Sequence, residues 1–397
     1  MLFRSTFLLE SPVPLFSYQQ EIVQSLNKWI GDSNSARTAL VSLPTGAGKT
    51  RTGLWFFREQ LECGRVRRLL WIAPSNELVE QAVETAKALW SEFPGAPQLD
   101  VSVGTLTLGS TRADESIAFF CTAQLAAKRL DDLRRLSADL LIFDEAHQSV
   151  ARTFREIIRC QVTQNEGRVV GLSATPGRAS ADEGEDLQDI FHGNLITSKE
   201  LGRAPVPALR QSGVLSDLAI ETIPLPSQWD QVRVVSLTDR SLSIDELALH
   251  PSRFWATIET IRNLPDNAKT LVFGASIAHC YALTAVLQTE GISAVTLSHH
   301  TSPSKRRSVL TQFAIGETRV LLNKVLLATG YDCPAITDVV LASPIRSPIL
   351  WEQIIGRASR GPAVGGTRVG RIWELDDHRK MHNRVLSYAR FLADLWS

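Results

Sequence analysis

Leu140-Leu141-Ile142-Phe143-Asp144-Glu145-Ala146-His147 is the stretch that decides how this chain reads. Four apolar residues followed by two adjacent carboxylates describe a buried strand that delivers charge at its carboxyl end. Such a pair suits a magnesium-nucleotide site: one carboxylate holds the metal through its water shell and the other polarises an attacking water. An acidic pair alone equally caps a helix or closes a turn. Its company along the chain separates these readings: Pro44-Thr45-Gly46-Ala47-Gly48-Lys49-Thr50 upstream, Ser173-Ala174-Thr175 downstream, and Gln353-Ile354-Ile355-Gly356-Arg357-Ala358-Ser359-Arg360 near the end.

The glycine-rich segment departs from the strict phosphate-loop rule, because Leu43 stands where the first glycine is expected. Gly46 and Gly48 still allow a tight loop with backbone N–H groups turned inward, with Thr45 and Ala47 contributing backbone. Lys49 can then reach the β- and γ-phosphates of a nucleotide, and Thr50 can bind Mg2+. The apolar run 38–42 before it reads as a strand, and the pattern from Lys49 to about Leu61 as a helix.

Further strands are expected at 68–73, 116–121, 140–143 and 168–172, with a helix from Glu77 to Leu89 between them. Strands alternating with helices imply a parallel α/β sheet that binds ligands outside the carboxyl ends of its strands. From about Arg178 to His250 the pattern loosens into proline-punctuated sequence, with the acidic run 182–186 read as a solvated loop. Alternation resumes at Pro251, with strands at 270–273, 295–297, 320–322 and 339–341 and a closing helix from Arg379 to Trp396. The expected organisation is therefore a first domain over residues 1–178, a connector over 179–250 and a second domain over 251–397.

Taken in order, these motifs resemble those of the DEAD/DEAH-box-like superfamily 2 helicases and translocases, over roughly Leu15 to Ile372. The resemblance implies two tandem RecA-like parallel-sheet domains with a nucleotide cleft between them. It implies that Asp144 holds Mg2+, that Glu145 orients the lytic water, and that His147, Ser173 and Thr175 couple the nucleotide site to the second domain. Arg357 and Arg360, three apart and sharing a helix face with Gln353 and Gly356, are expected on the phosphates; a planar guanidinium fork suits that task. Arg360 is the expected arginine finger. Gly330 and Asp332, in Ala328-Thr329-Gly330-Tyr331-Asp332-Cys333-Pro334, are expected to line the nucleotide site.

Leu15-Phe16-Ser17-Tyr18-Gln19 resembles the family's adenine-reading segment, with Phe16 and Ser17 replacing its usual arginine and proline. Gln19 is expected to read adenine through its amide, and Phe16 either stacks on the base or belongs to the core. For a nucleic-acid track the candidates are Pro74, Ser75, Thr122, Ser276 and Thr329, all at strand-to-helix turns. Hydroxyls and backbone N–H groups there bind phosphates without reading sequence; the same residues equally serve as plain helix caps. Lys305-Arg306-Arg307 reads as a solvated helix face. His378-Arg379-Lys380 lacks the downstream Asp of a nuclease site.

The later motifs look like those of the branch holding restriction-enzyme motor subunits and excision-repair helicases. That branch points to an ATP-dependent helicase or translocase moving on DNA rather than RNA, with a partner subunit as a possible source of specificity or nuclease activity. The alternative is an ATP-switched clamp that does not separate strands.

Composition sets the frame. The 397 residues suffice for two domains, and 44% apolar content excludes a disordered chain. Forty-two basic residues balance forty-two acidic ones, so nucleic-acid binding must use a local groove rather than a global field. The five cysteines are scattered, with no metal-ligand spacing, and read as thiols of a reducing compartment. Neither a signal peptide nor a membrane span is expected, which suggests a cytoplasmic protein.

Overall fold

The computed structural model describes residues 2–3, 13–93, 95–106, 115–147, 152–174, 181–225, 250–328, 330–343, 345 and 347–375. It divides into two compact units, one ending at Ala208 and the other beginning at Leu209.

The first unit is built on β1 (Leu2–Phe3), β2 (Thr38–Ser42), β3 (Arg68–Ala73), β4 (Leu99–Val103), β5 (Ile117–Thr122), β6 (Leu140–Asp144), β7 (Arg168–Ser173) and β8 (Leu195–Ile196). Their order across the sheet is β1-β4-β5-β3-β6-β7-β2-β8, and every pairing except that of β1 with β4 is parallel. The central strands β2 and β6 are buried along their whole length. Parallel strands covered by helices on both faces need continuous apolar runs, and this is why their sequences stood out. Strand β4, between β1 and β5, alternates buried with more exposed residues and was not anticipated.

The second unit carries β9 (Asp217–Ile223), β10 (Thr270–Phe273), β11 (Ala294–Thr296), β12 (Val320–Asn323), β13 (Asp338–Leu341) and β14 (Val369–Leu375). All pair in parallel, in the order β11-β12-β10-β13-β14-β9. Alternate residues of β10 feed opposite cores. Leu271 and Phe273 pack with Val339, Leu341 and Ile372, whereas Val272 packs with Val320, Leu322 and Val340.

The stretch expected to be a connector contributes elements to both sheets. Strand β8 pairs with β2, and β9 pairs with β14 along seven residues. The acidic run 182–186 lies on the helix Ala181–Ile190 rather than in a loop. The signal in β9 was weak because an edge strand keeps polar residues on its half-exposed positions. The closing helix expected at 379–396, His378-Arg379-Lys380, Thr175 and Thr329 all lie outside the described residues.

Candidate nucleotide site and nucleic-acid interface

Three strand ends of the first sheet are level with one another. Ser42 at the end of β2 pairs with Ser173 of β7, and Leu172 of β7 pairs with Asp144 at the end of β6. The loop leaving β2 is tied to that edge, since Leu43 N–H donates to Ser173 O at 3.1 Å. Gly46 and Gly48 take φ values of 91° and 79°, left-handed backbone open to glycine at little cost, and Gly48 caps the helix Lys49–Glu62. The glycine-rich loop therefore opens a helix directly after a buried strand, and the helix start offers unpaired N–H groups. Lys49 is buried, with Nζ 3.5 Å from Leu43 O. Thr50 is the second residue of that helix.

Asp144 is 2% exposed. Burial pushes its carboxyl up to about 7, the neighbouring Glu145 carboxylate pushes in the same direction, and the Lys49 ammonium opposes both. Glu145 adopts φ 51°, uncommon for a residue with a side chain, while its N–H donates to Asp144 Oδ1 at 3.0 Å. Among the described residues Glu145 Oε2 is buried without a hydrogen bond, and its neighbour at 3.4 Å is His147 Nδ1. His147 in turn lies 3.5 Å from Ser173 Oγ. A buried acceptor without a donor is costly unless a ligand or water completes it. The donor set thus fits a hydrated Mg2+ and a water: one buried carboxylate that charges most readily beside a cation, next to a second with an open lone pair. Among the described residues no cluster of three or more His, Cys, Asp and Glu forms a metal cage. Mg2+ on a nucleotide does not need one, because phosphates and waters fill most of its positions.

Tyr18 and Gln19 pack onto the glycine-rich loop. Tyr18 OH donates to Ala47 O at 3.0 Å, and Gln19 Nε2 donates to Ala47 O at 3.2 Å and Gly48 O at 3.4 Å. Phe16 N–H donates to Gln19 Oε1 at 3.0 Å. Both ends of the Gln19 amide are thus engaged within the protein, although it was expected to read adenine. Tyr18 was not singled out from the sequence; its place beside Gln19 in the quoted segment was the available signal. The half-buried Phe16 ring stacks on Tyr18 at 5.7 Å with planes 6° apart.

Three of the track candidates, Ser75, Thr122 and Ser276, act as helix caps. Ser75 Oγ accepts from Leu78 N–H at 3.4 Å, Thr122 Oγ1 from Leu125 N–H at 3.3 Å and Ser276 Oγ from His279 N–H at 3.1 Å. Pro74 immediately precedes the first of these caps. Lys305, Arg306 and Arg307 lie on the helix Pro303–Ile315. Trp29, Trp71 and Trp90 are core residues, whereas Trp55 is half-buried beneath the Arg58 guanidinium at 5.0 Å.

In the second unit the expected shared helix face does not form. The helix Pro348–Ile355 carries Gln353 but ends there; Gly356–Ala358 tightens into a 3-10 turn, and Arg360 pairs as an isolated antiparallel bridge with Leu215. The reason lies at the helix end, where Ser359 Oγ and Arg360 Nη1 donate to Gly356 O at 2.8 and 3.2 Å and complete a carbonyl that a longer helix would have used. Arg360 Nε donates to Asp332 Oδ1 at 2.8 Å. Arg357 Nε donates to Gln353 O at 3.1 Å, and its Nη1 donates to Tyr331 O, one residue beyond Gly330. Gly366 and Gly370 let the backbone close in: a Cβ on either would stand 1.9 Å from Arg360 O or 2.0 Å from Ala358 O. Sequence reasoning also missed Asp338, which is fully buried and accepts from Arg371 Nε and Nη2 and from Trp373 Nε1, each at 2.8 Å.

Residues 12–178 match the family model described as "Type III restriction enzyme, res subunit", and residues 254–361 match "Helicase conserved C-terminal domain". The chain belongs to the superfamily 2 helicases, a family of ATP-hydrolysing enzymes. This helicase is 26% identical over 364 residues to IRC3 of Saccharomyces cerevisiae, provisionally named an ATP-dependent helicase; the match covers 87% of the chain and 49% of that protein. It spans about half to three-fifths of the length of the first curated relatives it matches. Two solved structures share the fold. S. cerevisiae Dbp5 bound to RNA and ADP BeF3 has a TM-score of 0.63 at 15% identity, covering 93% of this chain and 87% of its own. The ATP-dependent Type ISP restriction-modification enzyme LlaBIII bound to DNA has a TM-score of 0.63 at 17% identity, covering 92% of this chain and 28% of its own. Both sheets of this helicase are accordingly RecA-like domains in tandem. No helix among the described residues is long and apolar enough to cross a membrane.

Proposed function

We propose that this helicase core hydrolyses ATP to move along DNA, with first-lobe chemistry within residues 1–178 and second-lobe chemistry within 251–397. The observation that supports this most is the level alignment of β2, β7 and β6, which gathers Lys49, Asp144 and Glu145 at one sheet edge. In this reading Lys49 and the backbone of Thr45–Gly48 hold the phosphates of ATP. Thr50 and Asp144 hold Mg2+, which neutralises phosphate charge. Glu145 accepts a proton from the attacking water. His147, Ser173 and Thr175 pass the state of that site to the second lobe. Gln353, Arg357, Arg360, Gly330 and Asp332 act on the nucleotide from the second lobe, and Gln19 acts on its base.

Pro74, Ser75, Thr122, Ser276 and Thr329 contact the nucleic-acid backbone, where a phosphate can share a helix cap's N–H groups. DNA is favoured over RNA because the first family model is that of a restriction-enzyme subunit. A partner subunit that supplies specificity or nuclease activity is part of this reading, because the first family model is that of one subunit of a restriction enzyme.

ATPase rate, measured alone and with single-stranded DNA, duplex DNA and RNA at two salt concentrations, tests the reading. Stimulation by DNA that weakens steeply with salt is expected. ATP binding without stimulation by any polymer would replace it with an ATP-switched clamp that lacks strand separation of its own.

A further inference from the structure

Arg51 and Glu92 belong to no motif, yet they join the two segments that face the nucleotide in the reading above. Arg51 follows Thr50 in the helix that starts at the glycine-rich loop, and Glu92 ends the helix Asn76–Ser91. They pair in a bidentate fork, with Nη1 to Oε1 at 2.9 Å and Nη2 to Oε2 at 2.7 Å. The same two groups take hold of one exposed residue: Val13 N–H donates to Glu92 Oε2 at 3.2 Å, and Arg51 Nη2 donates to Val13 O at 2.6 Å. Val13 opens the described segment that continues through buried Leu15 to Phe16, Tyr18 and Gln19. Tyr18 and Gln19 are bonded to Ala47 and Gly48. The segment is therefore fastened at both ends to one module, Ala47 to Arg51, with Phe16 between the fastenings.

Glu92 is held ready for this task. Its side chain is 7% exposed, and the Phe93 ring beside it lies 3.9 Å from the Arg58 guanidinium, which also covers Trp55. Arg51 lies 5.6 Å from the Trp55 ring on the same helix. A bidentate fork backed by aromatic faces keeps its geometry better than a single-point ion pair.

We propose that the Arg51–Glu92 pair positions the nucleotide base: by gripping both peptide groups of Val13 it fixes the Phe16–Gln19 segment relative to the phosphate loop. This rests on the assignment of ATP to the Lys49 loop. Neither residue touches the transferring phosphoryl group, so their loss acts on nucleotide affinity and base choice, not on the chemical step.

The test is steady-state ATPase with saturating single-stranded DNA, fluorescent ATP binding and thermal melting, applied to Glu92→Gln, Val13→Pro and Lys49→Ala. Glu92→Gln removes the charge of the fork. Val13→Pro removes the N–H donor and fixes φ at an exposed position already flanked by Pro12 and Pro14, so it keeps the question open to refutation if Glu92→Gln fails to fold. In both, the ATP KM is expected to rise about tenfold with kcat within about twofold, and the ATP-over-GTP ratio of kcat/KM to fall. An unchanged KM and ATP-to-GTP ratio in Val13→Pro overturns the proposal, as does a fall in kcat that follows melting temperature. If Lys49→Ala loses nucleotide while the other two bind like the wild type, the role of the Arg51–Glu92 pair alone is wrong. If Lys49→Ala binds like the wild type, the site assignment itself is wrong and the role of the pair goes with it.

Discussion

The carboxylates of the first unit and the arginines of the second are prepared in opposite ways. Asp144 is pushed towards its neutral form by burial and by its neighbour, and Glu145 Oε2 lacks a hydrogen bond among the described residues. Arg357 and Arg360 are equally buried, yet their charge is already spent on Gln353 O, Tyr331 O, Gly356 O and Asp332. In the proposed reading the first arrangement takes up a cation and a water, whereas the second exchanges existing bonds for phosphate oxygens and depends on how cheaply those bonds are released.

The comparison breaks most sharply at its two ends. Arg360→Ala is expected to lower kcat by about a thousandfold while ATP binding and melting temperature hold, the scale associated with an arginine finger. Glu145→Gln should keep ATP binding and lower turnover by at least about a hundredfold; wild-type turnover in single-turnover experiments would remove Glu145 from the water-positioning role. A purely structural control lies in Asp338→Ala, which leaves the Arg371 guanidinium without its fully buried partner. A loss of about 3 kcal/mol in denaturant unfolding is expected, with the ATP KM unchanged.

Asp144 sharpens the contrast through pH. With its carboxyl raised to about 7, Mg2+ must displace a proton at lower pH. Apparent Mg2+ affinity should therefore fall by about tenfold per pH unit below that value and level off above it. Titration calorimetry at pH 6 and pH 8 reads this directly, and proton uptake instead of release at pH 6 contradicts it. The smallest effect is expected from Asp332→Asn. Asp332 is 39% exposed, and an exposed partner contributes under about 1 kcal/mol, so kcat should shift by less than about tenfold. A loss as large as that of Arg360→Ala would mean that the ion pair, and not the freed arginine, carries the function.

Much of this was legible beforehand, for a physical reason. Strands β2, β3 and β10 lie where the sequence put them, residue for residue, because strands buried on both faces need unbroken apolar runs. Strands β4 and β9 were missed because both mix polar and apolar residues and carry no unbroken apolar run. The arginine segment misled in another way. Spacing of three suggested a helix face, but Gly356 and Ser359 end the helix and hand Arg360 to a bridge with Leu215, some 145 residues earlier.

Sequence alone determined the two-domain α/β class, the order of the motifs and the residue types at each strand end, because loop glycines, buried strands and paired charges follow from local chemistry. Only the tertiary structure decided which groups are already satisfied. Gln19 is committed to Ala47 and Gly48, Arg360 to Asp332, and Val13 to Arg51 and Glu92. These partners lie 28 to 79 residues apart in the chain, and hydrogen bonds over such separations leave no periodicity in the sequence to read.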